Sequence, residues 1–177
     1  MVETRLIPDC TFYTLFLKNF KQDYLIKITN HFKTCISPIV KKEIFKMGNN
    51  LSKNLEKNLI EMDSRLQYYQ LIKPLVSKEE YEKGELDIII LACFCEDLKI
   101  DYILVIDERP AFNLIKRCFP KLLLKHKYTG EFIVDCTNKY KILKKDESLN
   151  LLDIMEKSDF RIPEKVLQKL KNDLENG

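Results

Sequence analysis

Four acidic residues stand where apolar segments begin or end. The mostly apolar run 4–8 stops at Asp9, and the β-branched run 100–106 stops at Asp107. Asp87 falls in the first turn of 86–98, a segment apolar on every side, and Glu43 adjoins Ile44 on a shorter helical pattern. Carboxylates gathered within a few ångströms repel and push one another's pKa upward unless a cation keeps them ionised. All-oxygen ligation selects Mg2+ or Mn2+ over zinc or copper, and such ions bind through few carboxylates together with water and substrate phosphate. The chemistry this implies is phosphodiester hydrolysis, in which metal-bound water loses a proton readily and attacks phosphorus in line. Plainer roles stay open for the same residues. Asp107 would cap the helix that follows it, Glu43 would be solvated, and Asp87 would offset a helix dipole. With 27 Asp and Glu among 177 residues, no single acid stands out by type alone.

The elements that must carry these acids follow from hydrophobic spacing. Residues 4–8 read as a strand and 11–20 as a helix, with Phe12, Leu15, Phe16 and Phe20 at helical intervals. Helical patterns also cover 24–32 and the stretch opening at Ser37-Pro38, where proline suits a first helical position. Residues 49–65 suit a surface helix, 68–72 a strand, and Ser77-Lys78-Glu79-Glu80 a capping box opening a short helix. Segment 86–98 reads as a helix buried all round, and 100–106 as a strand covered on both faces, hence central and parallel. A helix over 110–118, a strand near 122–125 and helices around 130–140, 149–157 and 163–174 complete the pattern. Alternating strands and helices predict the α/β class, a three-layer α/β/α sandwich around a parallel sheet. In such sheets the working crevice lies beyond the carboxyl ends of the strands, the position of Asp9 and Asp107.

At about 150 residues per domain, 177 residues predict one domain, with C-terminal helices over 146–175 as an appendage. An apolar content of 45% with ten Phe and eight Tyr excludes a disordered chain. No run reaches the roughly 18 apolar residues of a membrane span, and Met1-Val2-Glu3-Thr4-Arg5 does not read as an export signal, so a soluble, cytoplasmic protein is expected. The six cysteines then stay reduced as small core residues. Cys93 and Cys95 are the only close pair, and His31 and His126 are remote, which argues against structural zinc and against an imidazole-based hydrolase. Net charge is +3 but uneven. Nine Lys or Arg against Glu131 and Asp135 give segment 116–145 a charge of +7, leaving −4 on the rest. Such a stretch suits a phosphate-binding surface or a solvated lysine-rich face.

At these residues the sequence resembles the PIN-domain family of metal-dependent ribonucleases, which includes VapC-type toxins. Ile7-Pro8-Asp9-Cys10-Thr11 is similar to the family's opening strand, and Pro38-Ile39-Val40-Lys41-Lys42-Glu43-Ile44 to its Glu-bearing helix. The most specific part is Gly84-Glu85-Leu86-Asp87-Ile88-Ile89-Ile90-Leu91-Ala92 followed by Ile103-Leu104-Val105-Ile106-Asp107-Glu108. Tyr128-Thr129-Gly130 and the helices beyond resemble the tail of a toxin-like subgroup.

The resemblance implies a PIN-like fold and an endoribonuclease using Mg2+ or Mn2+. It also implies that Asp9, Glu43, Asp87 and Asp107 are both the catalytic and the metal-binding quartet, with Thr11 orienting Asp9. Glu85 and Glu108 are auxiliary. Glu85 and Asp87 lie about 200° apart around a helix, so one regular turn cannot aim both at one ion, and Asp87 is the expected ligand. RNA is the implied substrate, held by the lysines of 116–145; an antitoxin protein and a homodimer are candidate partners, and no membrane is involved. The runner-up is a catalytically inactive PIN-like module that binds RNA or protein. A haloacid-dehalogenase-like phosphatase fits poorly, since Thr11 stands where its second Asp would be. Segment 49–70 matches nothing in the family well, and Phe112 stands where the subgroup often has Arg, which leaves substrate choice open.

Overall fold

Apolar runs that lose both faces to packing belong in the middle of a parallel sheet, and two strands do so here. In β1 (Arg5–Pro8) and β4 (Tyr102–Val105) every residue except Arg5 is buried. They pair in parallel from Arg5 opposite Tyr102 to Pro8 opposite Val105. β2 (Lys33–Ile36) lies on the other side of β1 with β3 (Leu59–Glu61) beyond it, and β5 (His126–Lys127) flanks β4. The order β3-β2-β1-β4-β5 gives a five-stranded, all-parallel sheet among the described residues. The computed structural model describes residues 4–48, 51–62, 84–160 and 162–177. The architecture is mixed α/β and mostly helical, consistent with a three-layer α/β/α sandwich.

From β1 the chain winds outward one way through β2 and β3, then crosses to β4 and winds the other way to β5. Loops leaving the carboxyl ends of β1 and β4 therefore diverge, and a crevice opens between them. α1 (Cys10–Thr14), continued by a π-helical turn over Leu15–Asn19, starts at this edge. Its Phe12 ring packs 4.7 Å from Phe16 and 5.9 Å from Phe132, which ties the first helix to α7 (Thr129–Asn138). α2 (Gln22–His31) leads into β2. α3 (Pro38–Lys46) begins where expected, with Pro38 in its first turn and the Ser37 hydroxyl accepting from Val40 N at 3.1 Å. α4 (Lys53–Asn58) precedes β3. α5 (Gly84–Asp97) is buried from Leu86 to Ala92, as its all-round apolar character requires.

Beyond β4, α6 (Arg109–Cys118) and a 3-10 turn (Pro120–Leu124) lead to β5. α8 (Lys145–Lys157) and α9 (Glu164–Glu175) contribute Leu151, Leu152, Met155, Leu167, Leu170 and Leu174 to the buried cluster. At Gly130 a Cβ would stand 2.7 Å from Leu170 Cδ1, so any side chain there would force the Leu170 side chain of α9 to move.

Several expectations change. Residues 33–36 and 59–61 are strands that the hydrophobic pattern does not announce, and of the helix expected over 49–65 the described residues 51–62 keep only α4. The strand expected near 122–125 moves to His126–Lys127, the preceding residues forming the 3-10 turn. The strand over 68–72 and the capping box at Ser77 lie outside the described residues, as does part of segment 49–70. All six cysteines are free. No described helix is long and apolar enough to cross a membrane.

Candidate active site

Asp9 follows β1 directly and is 1% exposed. Its Oδ1 accepts from Phe12 N at 2.7 Å, capping α1, and its Oδ2 accepts from Asp107 N at 2.9 Å. One carboxylate thus joins the ends of the two central strands across the crevice. Asp107 in turn accepts from Thr129 N at 2.9 Å and from the Thr129 hydroxyl at 2.5 Å, so the start of α7 fixes its orientation. Burial, and then the neighbouring Asp107 charge, push Asp9 well above the ordinary carboxylate range. Burial pushes Asp107 up to about 6, with Glu108 and Glu131 adding to the rise and the Thr129 hydrogen bonds opposing it.

Beside this pair lies a cleft of about 680 Å³ lined by Glu43, Glu85 and Glu108. Glu43 projects from α3, and its Oε1 accepts from Gly84 N at 3.1 Å, at the first residue of α5. The helix N-terminus favours that negative charge. A Cβ on Gly84 would overlap Glu43 Oε2, so a side chain there would displace the Glu43 carboxylate from Gly84 N. Burial raises the Glu43 pKa, and the Glu85 charge adds to it. The Thr11 hydroxyl, also lining the cleft, donates to Glu108 Oε1 at 3.3 Å. Lys18 and Lys46 also line the cleft, as do Ser158 and Phe160 from the connection between α8 and α9. Phe160 separates this cleft from a second cavity of about 460 Å³, onto which Asp107 opens.

Of the four acids singled out by sequence, Asp9, Glu43 and Asp107 gather at this end of the sheet. Asp87 is buried within α5 and does not line the cleft; Glu85, two residues earlier and on nearly the opposite side of the helix, does. Spacing alone favours Asp87, but an all-apolar helix shows no phase to tell which of the two reaches this cleft. Spacing also gives no role to Thr129, whose sequence signal is only a hydroxyl beside glycine at a helix start. The cleft's lysines, Lys18 and Lys46, come from outside segment 116–145. Within that segment Lys125 pairs with Asp101 at 2.6 Å and Lys127 with Asp135 at 3.0 Å. Among the described residues no three His, Cys, Asp or Glu side chains converge tightly enough to hold a metal ion by themselves.

The arrangement concentrates negative charge in a partly dry crevice whose rim carries two lysines. That combination attracts a divalent cation and a phosphate together. No family model, curated protein or solved structure matches the chain.

Proposed function

We propose that the chain is a Mg2+- or Mn2+-dependent endoribonuclease of PIN-like fold that hydrolyses RNA phosphodiester bonds. The observation that carries the reading is the Asp9–Asp107 pair. A buried Asp9 and a half-buried Asp107 close neighbouring central strands at the switch point of a parallel sheet, linked through the Asp107 N–H, with Glu43, Glu85 and Glu108 lining the adjoining cleft. Carboxylates held in raised-pKa surroundings are stable as anions only when a cation joins them.

The donor set suits a hard cation, being carboxylate oxygen with a threonine hydroxyl nearby. Mg2+ keeps several waters and needs only one or two carboxylates, so it does not require three converging acids. Asp9, Glu43 and Asp107, with Glu85 in the place expected of Asp87, are the residues that would hold it. When bound, the ion would supply an ionised water near neutral pH and neutralise phosphate charge. The chain's own residues prepare that chemistry. Phe12 N and Asp107 N lock the Asp9 carboxylate, Thr129 locks Asp107, and Gly84 N locks Glu43, so little reorganisation is left for the reaction. Lys18 and Lys46 draw the RNA backbone to the cleft. An antitoxin partner and a homodimer join this proposal through the sequence resemblance alone.

One observation favours a second reading, a PIN-like module that binds RNA or protein without cutting: both Asp107 oxygens are already taken by Thr129. Cleavage of single-stranded RNA in Mn2+ by the wild type and by Asp107→Asn separates the two. Cleavage lost in the variant, with RNA binding retained, supports the nuclease. Equal cleavage by both proteins rejects Asp107 as a catalytic group, and Mn2+ failing to bind at millimolar concentration favours the module.

A further inference from the structure

The cavity beyond Phe160 has no part in the reading above. Its volume of about 460 Å³ is that of a small-molecule site. Phe112 from α6, Tyr128 ahead of α7 and Phe160 give it aromatic walls. Phe112 and Tyr128 have ring centroids 5.8 Å apart, and both lean on His126, at 5.2 and 4.7 Å. His126 is itself anchored, its Nε2–H donating to the Ile106 carbonyl at 2.9 Å. The rings are therefore held by the end of the central sheet rather than by a loop alone. Arg109, Asn113 and Glu131 bring a guanidinium, an amide and a carboxylate to the same cavity, and Asp107 forms part of its wall.

We propose that this cavity binds one nucleobase of a single-stranded RNA, stacked against Tyr128 and Phe112 with its edge read by Asn113 and Arg109. The choice of RNA rests on the nuclease reading; the choice of a base rests on the cavity itself. A nucleobase has flat π faces and a rim of donors and acceptors, and it is commonly bound by aromatic faces flanked by polar groups. An aliphatic side chain from a protein partner would satisfy the rings but offer nothing to the guanidinium and amide of the exposed Arg109 and Asn113, while Glu131 is already engaged as acceptor from Tyr128 N. Because Asp107 is shared, a base seated here belongs to a nucleotide next to the acidic crevice. Phe160, common to both cavities, lies between them. Phe112 thus acquires a role in substrate recognition.

The test is calorimetric titration of the full chain with AMP, GMP, CMP and UMP in EDTA, so that binding is read without metal-dependent cleavage. Ribose 5-phosphate serves as the probe that lacks a base. At least one monophosphate is expected to bind, and ribose 5-phosphate to bind at least tenfold more weakly. Tyr128→Leu removes the stacking face and Val166→Trp fills the cavity; each is expected to weaken binding about tenfold. Both positions are solvent-exposed, at 40% and 42%, so neither change is expected to shift the thermal midpoint. Asn113→Ala is expected to change the ranking of the four bases. No binding by any monophosphate, equal binding of ribose 5-phosphate, or wild-type affinity in both cavity variants overturns the proposal. Monophosphate binding without RNA cleavage in Mn2+ leaves the base site standing and rejects the nuclease. Cleavage without monophosphate binding rejects the base site alone.

Discussion

Asp107→Asn should make the metal-free protein more stable at neutral pH, although it removes a residue proposed to be essential. The Asp107 carboxyl is pushed from an ordinary value of 3.8 up to about 6, chiefly by burial. A raised acid favours the folded state while protonated. That contribution is complete below about pH 4, falls as pH rises through 6, and is absent above it. A shift of about two units at about 1.4 kcal/mol each makes the loss on the order of 3 kcal/mol. Asparagine carries no charge to penalise, and its geometry is tolerated. The amide oxygen accepts from Thr129 N, and the Thr129 hydroxyl turns to accept from the new NH2. Urea unfolding in EDTA at pH 4, 5, 6 and 7 should therefore show wild-type stability falling across this range and the variant's falling less. The gap at pH 7 should approach 3 kcal/mol in the variant's favour. Adding Mn2+ should close the gap by stabilising only the wild type. A variant less stable than wild type at pH 7, or two parallel pH curves, would refute the view that burial of the ionised carboxylate dominates here.

Asp9→Asn should behave differently, because both Asp9 oxygens face backbone N–H donors and an NH2 must now oppose one of them; urea midpoints at pH 7 should place it about 1–3 kcal/mol below Asp107→Asn. Gly84→Ala should push Glu43 off Gly84 N and lower Mn2+ affinity in calorimetry severalfold, while the thermal midpoint moves little because alanine is the better helix former. Lys18→Ala and Lys46→Ala should each reduce the salt dependence of single-stranded RNA binding by about one unit of slope in fluorescence anisotropy. Lys125→Ala and Lys127→Ala, whose partners are Asp101 and Asp135, should leave that slope unchanged.

The central strands were legible because burial on both faces writes itself as unbroken apolar runs, and the acids ending them were legible for the same reason. The edge of the sheet was not. Lys33-Thr34-Cys35-Ile36 is too short and mixed to announce a strand, and Leu59-Ile60-Glu61 continues an apolar spacing that also suits the end of a helix. Both become strands by pairing with a neighbour already in place, Thr34 opposite Leu6 and Ile60 opposite Cys35, information that lies in tertiary contact rather than local pattern. His126-Lys127 likewise pairs for two residues only, beside Leu104 and Val105.

Which of Glu85 and Asp87 meets the cleft was not legible for a related reason. A helix buried on all sides has no polar face to give its rotation, so sequence cannot say which first-turn acid looks into the crevice. Gly84 N donates to Glu43, which ties α5 to α3 where Glu85 lines the cleft, while Asp87 is buried. A Cβ at residue 84 would push the Glu43 carboxylate out of this contact. The most apolar of the described helices is thus tied to its neighbour by a polar hydrogen bond, information that hydrophobic spacing does not carry.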